Sequence, residues 1–157
     1  MDMKDKIRLE FIHSPTTLQA KEISRLQKIC FADVSEEEAE NDFFHHEIVQ
    51  VLAYFNDQLV GWAGVHITEQ EYEYQNIKIG GYGICTHPDY QRKGVASMIV
   101  AEVIQYLHNN DCDIGFLSVN PNDQGSIMLH QKFGFVKLSK DFSWTDSKGK
   151  LKHETKS

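Results

Sequence analysis

Two periods of apolar positions run through the chain, and they predict strands and helices in turn. Residues 7–12 alternate between apolar and polar side chains, as in a half-exposed strand, whereas Leu18, Ile23 and Leu26 recur at nearly helical spacing. The predicted strands are Ile7–Ile12, Ile48–Phe55, Gln58–Thr68, Ile77–Thr86, Ile114–Val119 and one from Phe135 to Leu138. The predicted helices extend from Ser14-Pro15 to about Phe31, from Ser35 to about His46, from Gly94 to about Asn109, and from Ser126 to Phe133.

Turn-forming residues mark where these elements end. The dipeptide Asn56-Asp57 between two apolar segments predicts an antiparallel hairpin. Ser14 is predicted to cap the first helix, with Pro15 in its first turn, and Gly134 is predicted to cap the C-terminus of the last helix.

Two further segments depart from regular patterns. The polar stretch 69–76 is predicted to be a loop. Gly80, Gly81 and Gly83 interrupt the strand that follows, and glycines inside a strand indicate a bulge or close approach by another backbone.

The order of elements predicts an α+β fold in three layers. An antiparallel meander followed by a strand–helix–strand crossover implies a mixed, mostly antiparallel sheet with helices on both faces. The crossover is expected to place Gly83–Thr86 and Ile114–Val119 side by side and parallel. Because no linker or repeat divides the sequence, residues 1–157 are predicted to form a single domain.

The C-terminal tail gives no firm prediction. The chain after Asp141 is polar and rich in lysine, and residues 148–157 are only weakly strand-like. The edge of the sheet is therefore open, shortened, or completed by a second subunit, and a homodimer is one of these alternatives.

Bulk composition bounds the function. The chain has 157 residues, 41% of them hydrophobic, and a net charge of −7, which disfavours nucleic acid and anionic membranes as partners. Its three cysteines form no CxxC pair, the first residues lack the apolar core of a signal peptide, and no apolar run approaches the roughly 18 residues of a membrane span. We therefore expect a cytoplasmic protein without a disulfide framework.

The most informative stretch is THPDYQRKGVASMIV, which begins at Thr86. It leads from a strand through a basic loop into a helix. Gly94 allows dihedrals that set amides on a concave surface, Ala96 permits close approach, and the helix start contributes free N–H groups. Such a loop can bind a phosphate or pyrophosphate, with Arg92 and Lys93 at its rim. The alternative is an ordinary strand-to-helix turn whose basic residues are solvated.

This loop resembles the first signature of the GNAT superfamily of acyl-CoA-dependent N-acetyltransferases, which reads (Gln/Arg)-x-x-Gly-x-(Gly/Ala). Gln91, Gly94 and Ala96 occupy its defined positions. Downstream, VNPNDQGSIMLHQKFGF (Val119–Phe135) resembles the second signature. The matching residues there are Leu129, Lys132, Gly134 and Phe135.

The resemblance implies an N-acetyltransferase that uses acetyl-CoA. In that family the pantetheine arm lies between two splayed parallel strands, and the helix-start loop holds the pyrophosphate. An amine then attacks the thioester directly, with no covalent enzyme intermediate. Carried over to this sequence, the coenzyme-binding residues are Ile84, Cys85, Thr86, Gln91, Arg92, Lys93, Gly94, Val95, Ala96, Asn122 and Ser126.

The resemblance also places His130 where the family usually has a tyrosine that donates to the coenzyme sulfur. Histidine can serve as an acid near neutral pH, so His130 is the predicted catalytic residue, the alternative being a helix-surface residue with no role. Asp123 stands where many members have an asparagine that faces the coenzyme arm.

The general base stays open. The candidates are Glu69, Glu71, Glu73, Tyr82 and a chain of waters. No metal is expected, because the near-match HHEIVQ to a zinc motif lacks its second histidine.

Three functions remain in competition. The first is acetylation of a primary amine on a small molecule or peptide. The second is a catalytically weak or inactive acyl-CoA-binding module, which the missing tyrosine favours. The third is a phosphate-binding domain for another nucleotide.

Overall fold

The computed structural model describes residues 6–30, 49–72, 74–118, 123–137 and 142–145. Within them the strands are β1 (Ile7–Ile12), β2 (Val49–Phe55), β3 (Gln58–Tyr72), β4 (Gln75–Thr86), β5 (Ile114–Ser118), β6 (Val136–Lys137) and β7 (Phe142–Thr145). The helices are α1 (Thr17–Cys30), α2 (Val95–Asn109) and α3 (Gln124–Lys132), with a short 3-10 turn at Pro88–Tyr90. The helix predicted from Ser35 to His46 lies outside the described residues. No helix in the described ranges is long and apolar enough to cross a membrane.

The strands form a mixed sheet in the order β1-β2-β3-β4-β5-β7-β6. β4 and β5 are parallel, with Ile79 opposite Ile114 and Gly81 opposite Phe116. The pairs β1–β2, β2–β3, β5–β7 and β6–β7 are antiparallel. The prediction of a mixed, mostly antiparallel α+β fold is therefore confirmed. The parallel neighbours are as predicted, although the described pairing involves Ile79–Gly81 rather than Gly83–Thr86.

The chain divides into two compact units. The first comprises Met1–His66 and Ile84–Val103, and the second comprises Ile67–Gly83 and Ile104–Ser157. The single domain over residues 1–157 stays a prediction.

The core of the first unit lies under α1. Ile23 and Leu26 of α1 pack with a cluster of buried side chains from the sheet. Its other members are Leu52, Tyr54, Leu59, Trp62 and Cys85. All of β2 except Phe55 is buried, which explains its nearly continuous apolar sequence.

The start of α1 differs from its prediction. The side-chain oxygen of Thr16 accepts a hydrogen bond from the amide of Gln19 at 3.1 Å, and the Gln19 side chain accepts one from the amide of Thr16 at 2.9 Å. This reciprocal pair is a capping box, so Thr16 caps the helix and the assignment to Ser14-Pro15 was wrong.

The predicted hairpin at Asn56-Asp57 is confirmed. Asn56 adopts a φ of 56°, a left-handed conformation that asparagine tolerates, and Phe55 pairs with Gln58 across the turn. The register shifts by one residue between Ala53 and Tyr54, which indicates a bulge in this ladder.

The loop predicted for residues 69–76 is wrong. β3 continues to Tyr72 and β4 already begins at Gln75, with Tyr74 in the turn at a φ of 68°. Hydrophobic periodicity missed these strand ends because exposed strands carry polar side chains on both faces.

Gly80 of β4 serves helix packing in the second unit. A Cβ at this position would collide with the side chain of Leu107, which is buried in α2. The close approach predicted for this glycine is therefore made by a helix side chain rather than by a backbone. Beside it, the amide of Lys78 donates to the Asp113 carboxylate at 2.9 Å.

The closing strand of the sheet lies earlier than the tail considered from sequence. β7 at Phe142–Thr145 pairs with both β5 and β6. This segment follows Asp141 directly, in the part of the chain for which no element was predicted. Residues 148–157 lie outside the described residues.

Candidate functional site

The end of β4 presents backbone groups on one edge. The amide of His87 donates to the carbonyl of Val60 in β3 at 2.8 Å. Because backbone groups alternate in direction along an extended chain, those of Ile84 and Thr86 point to the edge away from β3. The Thr86 carbonyl accepts hydrogen bonds from the Gln91 side chain at 3.5 Å and from the Cys30 thiol at 3.4 Å.

The 3-10 turn after β4 is held by hydrogen bonds and a ring contact within the first unit. The amide of Tyr90 donates to the carbonyl of His87 at 2.9 Å, and the amide of Asp89 donates to the His87 ring at 3.1 Å. The Tyr90 hydroxyl donates to the Gln58 side chain at 3.2 Å, and its ring lies 5.5 Å from that of Phe55. The basic loop therefore follows a turn that these contacts hold in place.

The loop Gln91–Gly94 reaches the helix through two left-handed residues. Arg92 has a φ of 64° and Gly94 a φ of 87°. Left-handed residues in such a turn point successive backbone amides toward one side, which forms an anion-binding concavity. The side chains of Arg92 and Lys93 are exposed beside it.

The start of α2 completes this surface. Val95 is buried and lies close to Gly61 of β3, where an added Cβ would be 3.0 Å from Val95 and 2.7 Å from Ile99. The first intrahelical bond, from the amide of Met98 to the carbonyl of Gly94, leaves the preceding amides without helical acceptors. The first turn of α2 carries no acidic side chain, so its positive dipole end has no negative side chain of its own.

His130 in the second unit is fully buried and held by one ring nitrogen. Its Nδ1 lies 2.8 Å from the carbonyl of Ser126 and 3.4 Å from the Ser126 hydroxyl. A carbonyl only accepts, so Nδ1 carries the proton and the neutral ring has a bare Nε2. Burial lowers the pKa of His130, although the Ser126 carbonyl and the Asp123 carboxylate act in the opposite direction.

Tyr82 of β4 packs against this histidine. Their ring centres are 5.8 Å apart, and Phe135 contacts both rings. Burial raises the pKa of Tyr82 far above its usual range, so its hydroxyl keeps its proton. Within the described residues, neither the Tyr82 hydroxyl nor His130 Nε2 has a hydrogen-bond partner. Two neighbouring rings thus carry a buried donor and a buried acceptor that are both unpartnered.

Both ends of α3 position His130. Asp123 caps the helix by accepting a hydrogen bond from the amide of Ser126 at 3.0 Å. At the other end Gly134 has a φ of 92°, and the amides of Gly134 and Phe135 donate to the carbonyls of Gln131 and His130. This Schellman motif confirms the predicted glycine cap and sets the Phe135 ring 5.2 Å from His130.

The predicted coenzyme residues separate into two groups. Ile84–Thr86 and Gln91–Ala96 lie in the first unit, along the end of one strand and the start of one helix. Ser126 lies in the second unit with its amide and carbonyl already bonded, and Asn122 lies outside the described residues. Cys85 is buried in the apolar cluster, as expected for a small core residue.

The residues predicted as candidate general bases differ in their structural surroundings. Glu69 and Glu71 are exposed and belong to β3 rather than to a loop, whereas Glu73 lies outside the described residues. Burial raises the pKa of Tyr82, so its hydroxyl stays protonated. The sequence analysis did not predict that Gly61 allows Val95 and Ile99 of α2 to pack closely on β3. The signal that could have indicated this contact is a glycine within an apolar strand.

Comparison with known proteins decides the family. Residues 18–135 match the acetyltransferase (GNAT) family. The chain belongs to the GNAT acetyltransferase family.

Relatives of this GNAT chain agree with that assignment. It is 30% identical over 101 residues to a probable N-acetyltransferase, san, of Drosophila melanogaster, an alignment that covers 60% of this chain and 53% of the relative. The chain thus spans about half the length of the curated relative that it matches.

Solved structures share the fold. A crystal structure of Arabidopsis thaliana NAA60 in complex with acetyl-CoA matches with a TM-score of 0.73 at 14% identity, covering 89% of this chain and 98% of that one. An aminoglycoside acetyltransferase from an uncultured soil metagenomic sample, in complex with sisomicin, matches with a TM-score of 0.67 at 12% identity, covering 83% and 89%. At these identities the likeness concerns the fold.

Proposed function

We propose that this GNAT chain transfers the acetyl group of acetyl-CoA to a primary amine of a small molecule or peptide. The observation that carries the proposal is the loop Gln91–Gly94, whose two left-handed residues lead into the first turn of α2, where no acidic side chain faces the positive dipole end. Family membership supports the pyrophosphate of a coenzyme A thioester as this anion. The likeness to a protein solved with acetyl-CoA supports the same choice.

In this proposal the first unit holds the coenzyme. The amides from Gln91 to Ala96 bind the pyrophosphate, and Arg92 and Lys93 add positive charge from the rim. The backbone of Ile84 and Thr86 pairs with the pantetheine arm, because these residues turn their polar groups away from β3. Cys85 contributes only its backbone, since its thiol lies in the core.

The reaction needs one proton removed from the attacking amine and one delivered to the leaving thiolate. The contact of Nδ1 with the Ser126 carbonyl favours a neutral ring without a proton on Nε2, so the proposal differs from the acid role expected from the sequence. We propose instead that the Nε2 atom of His130 both accepts and returns the proton. Nε2 first accepts a proton as the amine attacks, and the resulting imidazolium then gives that proton to the thiolate.

Tyr82 supports this exchange as a buried hydroxyl beside the imidazole. Its proton is retained because burial raises its pKa. Its ring packs against the imidazole at 5.8 Å between centres and so holds the ring plane in place. Tyr82 is thus proposed as a positioning residue.

The test is release of free thiol from acetyl-CoA in the presence of an amine panel. The panel includes a polyamine, an amino acid, an aminoglycoside and a peptide with a free N-terminus. Amine-dependent thiol release with matching acetylated product is expected for at least one of these classes. Thiol release at the same rate without any amine would contradict the proposal.

A second function is favoured by the same histidine. His130 is fully buried and presents no proton at Nε2, which fits an acyl-CoA-binding module without turnover. That module would be stabilised by acetyl-CoA in a thermal-shift experiment and would release no thiol with any amine. Stabilisation by a plain nucleotide, with none by coenzyme A, would instead favour the third function.

A further inference from the structure

Two of the three cysteines, which are 55 positions apart in sequence, meet in the first unit. Cys30 is the last residue of α1, and Cys85 is the penultimate residue of β4. Cys30 packs against the buried cluster that contains Cys85, and its thiol lies 3.4 Å from the carbonyl of the next residue, Thr86. Both are free thiols. Spacing in sequence alone gave no reason to pair them.

We propose that Cys30 and Cys85 are an oxidisable thiol pair that closes to a reversible disulfide when the protein meets a peroxide. The proposal stands on the packing of Cys30 against the cluster that contains Cys85 and on the position of its thiol 3.4 Å from the carbonyl of Thr86, the residue after Cys85. It does not depend on the acetyltransferase activity. It assigns a modification site to residues of the apolar core and to the end of the proposed coenzyme strand.

The two thiols differ in a way that gives them separate roles. Cys30 is only partly buried, so a small oxidant can reach it, whereas Cys85 is 6% exposed. The hydrogen bond between them lowers the pKa of Cys30 and raises the pKa of Cys85, with burial opposing the first shift and adding to the second. Cys30 is therefore the attacking thiolate, and Cys85 is the thiol that resolves the intermediate.

The oxidation balances with hydrogen peroxide as the oxidant. The Cys30 thiolate attacks one peroxide oxygen, an S–O bond forms, the O–O bond breaks, and the leaving hydroxide takes up a proton to become water. The Cys85 sulfur then attacks the Cys30 sulfenic acid, the S–S bond forms, the S–O bond breaks, and the departing hydroxide takes the Cys85 proton. Two thiols and one peroxide become one disulfide and two waters.

Cys112 provides an internal comparison. It is fully buried, and burial raises its pKa. It is therefore expected to react last. Cleavage after lysine and arginine places the three cysteines on separate peptides, 29–78, 79–92 and 94–132, so each pairing is distinguishable by mass.

The test treats the purified full chain with one equivalent of hydrogen peroxide, blocks the remaining thiols, and maps the peptides. Before blocking, we expect a monomer 2 Da lighter than the untreated chain. After blocking, peptides 29–78 and 79–92 should be linked, and peptide 94–132 should carry a blocked thiol. Dithiothreitol should break the link. Cys112→Ala should leave the link unchanged. Cys30→Ala should slow thiol loss roughly tenfold, because the partly exposed, low-pKa sulfur is gone.

A dione probe for sulfenic acid separates the two steps. Cys85→Ala should accumulate probe-labelled Cys30, whereas the unaltered chain should label weakly because Cys85 resolves the intermediate. Equal labelling in both proteins, a link between two chains, or first loss of the Cys112 thiol would each overturn the proposal. The peptide map of the unaltered chain decides the outcome even where a variant fails to fold.

Discussion

The proton position on His130 follows from one short contact. Because the Ser126 carbonyl lies 2.8 Å from Nδ1, it fixes the tautomer and leaves Nε2 as an acceptor. Sequence comparison identified this residue by its position in the second signature, yet it could not give the protonation state. That state depends on burial and on a helix turn that no motif encodes. The same holds for Tyr82, whose role emerges only from its contact with the imidazole.

Replacing His130 by phenylalanine tests its role. The aromatic ring preserves packing against Tyr82 and Phe135 but removes Nε2. We expect kcat to fall roughly 100-fold, the lower end of the range for loss of a general acid–base group, with the Kd of acetyl-CoA within a few-fold of the unaltered chain. Steady-state kinetics and calorimetry measure the two quantities. An unchanged kcat would remove His130 from the mechanism.

The buried imidazole also predicts a pH effect on stability. The pKa of His130 is lowered in the fold, so below the ordinary histidine value of 6.5 the unfolded chain binds a proton that the folded chain resists. Above pH 6.5, His130 therefore does not change the free energy of unfolding. Below pH 6.5 it lowers the free energy of unfolding, by at most about 1.4 kcal/mol per pH unit.

Urea unfolding at pH 7.5 and 5.5 measures this. The loss of stability on acidification should be smaller in His130→Phe than in the unaltered chain. An equal loss in both would show that His130 is not the responsible group.

Gly94 is the residue on which the proposed pyrophosphate contact rests. Valine at a φ of 87° is strained, and its side chain would tilt the amides of the loop out of line. We expect the affinity for acetyl-CoA to fall roughly 100-fold, equivalent to two charge-assisted hydrogen bonds at about 1.5 kcal/mol each. Gly134→Val is the matched control, because Gly134 has a φ of 92° with open space around it. Equal affinity losses in both variants would attribute the effect to general strain.

At the scale of elements, the position of α2 depends on a flat strand surface beneath each end. Gly61 lies under its first turn and Gly80 under Leu107 near its last turn. Periodicity predicted α2 well because its apolar face is long and regular. It failed for residues 69–76, where β3 continues to Tyr72 and β4 begins at Gln75 in a sequence with few apolar residues. It also missed the capping box at Thr16, since Pro15 directly after Ser14 gave a competing signal.

Gly61→Val tests whether coenzyme binding requires the close packing of the start of α2 on β3. The new side chain would meet Val95 and Ile99, at a cost of about 1–3 kcal/mol in stability. Displacement of Val95 should also weaken acetyl-CoA binding several-fold, measured by calorimetry. Gly80→Val is the control, because it should cost similar stability while leaving the affinity unchanged. Loss of affinity only in Gly80→Val would contradict the account.

For the whole molecule, the family was recoverable from sequence because its two signatures describe local backbone geometry. Gly94 and Gly134 both occupy left-handed positions that few other residues tolerate. The pairing of Cys30 with Cys85 was not recoverable, because it depends on how α1 lies on the sheet. The acceptor amine leaves no comparable local signature, and so it is addressed by the amine panel.

The central claim is that main-chain amides at the start of α2 bind the diphosphate of acetyl-CoA. The most direct measurement is a crystal structure of the chain grown with acetyl-CoA. The account predicts diphosphate oxygens within about 3 Å of amides between Gln91 and Ala96, with the pantetheine arm paired to Ile84 and Thr86. A coenzyme bound with its diphosphate away from these amides would contradict it.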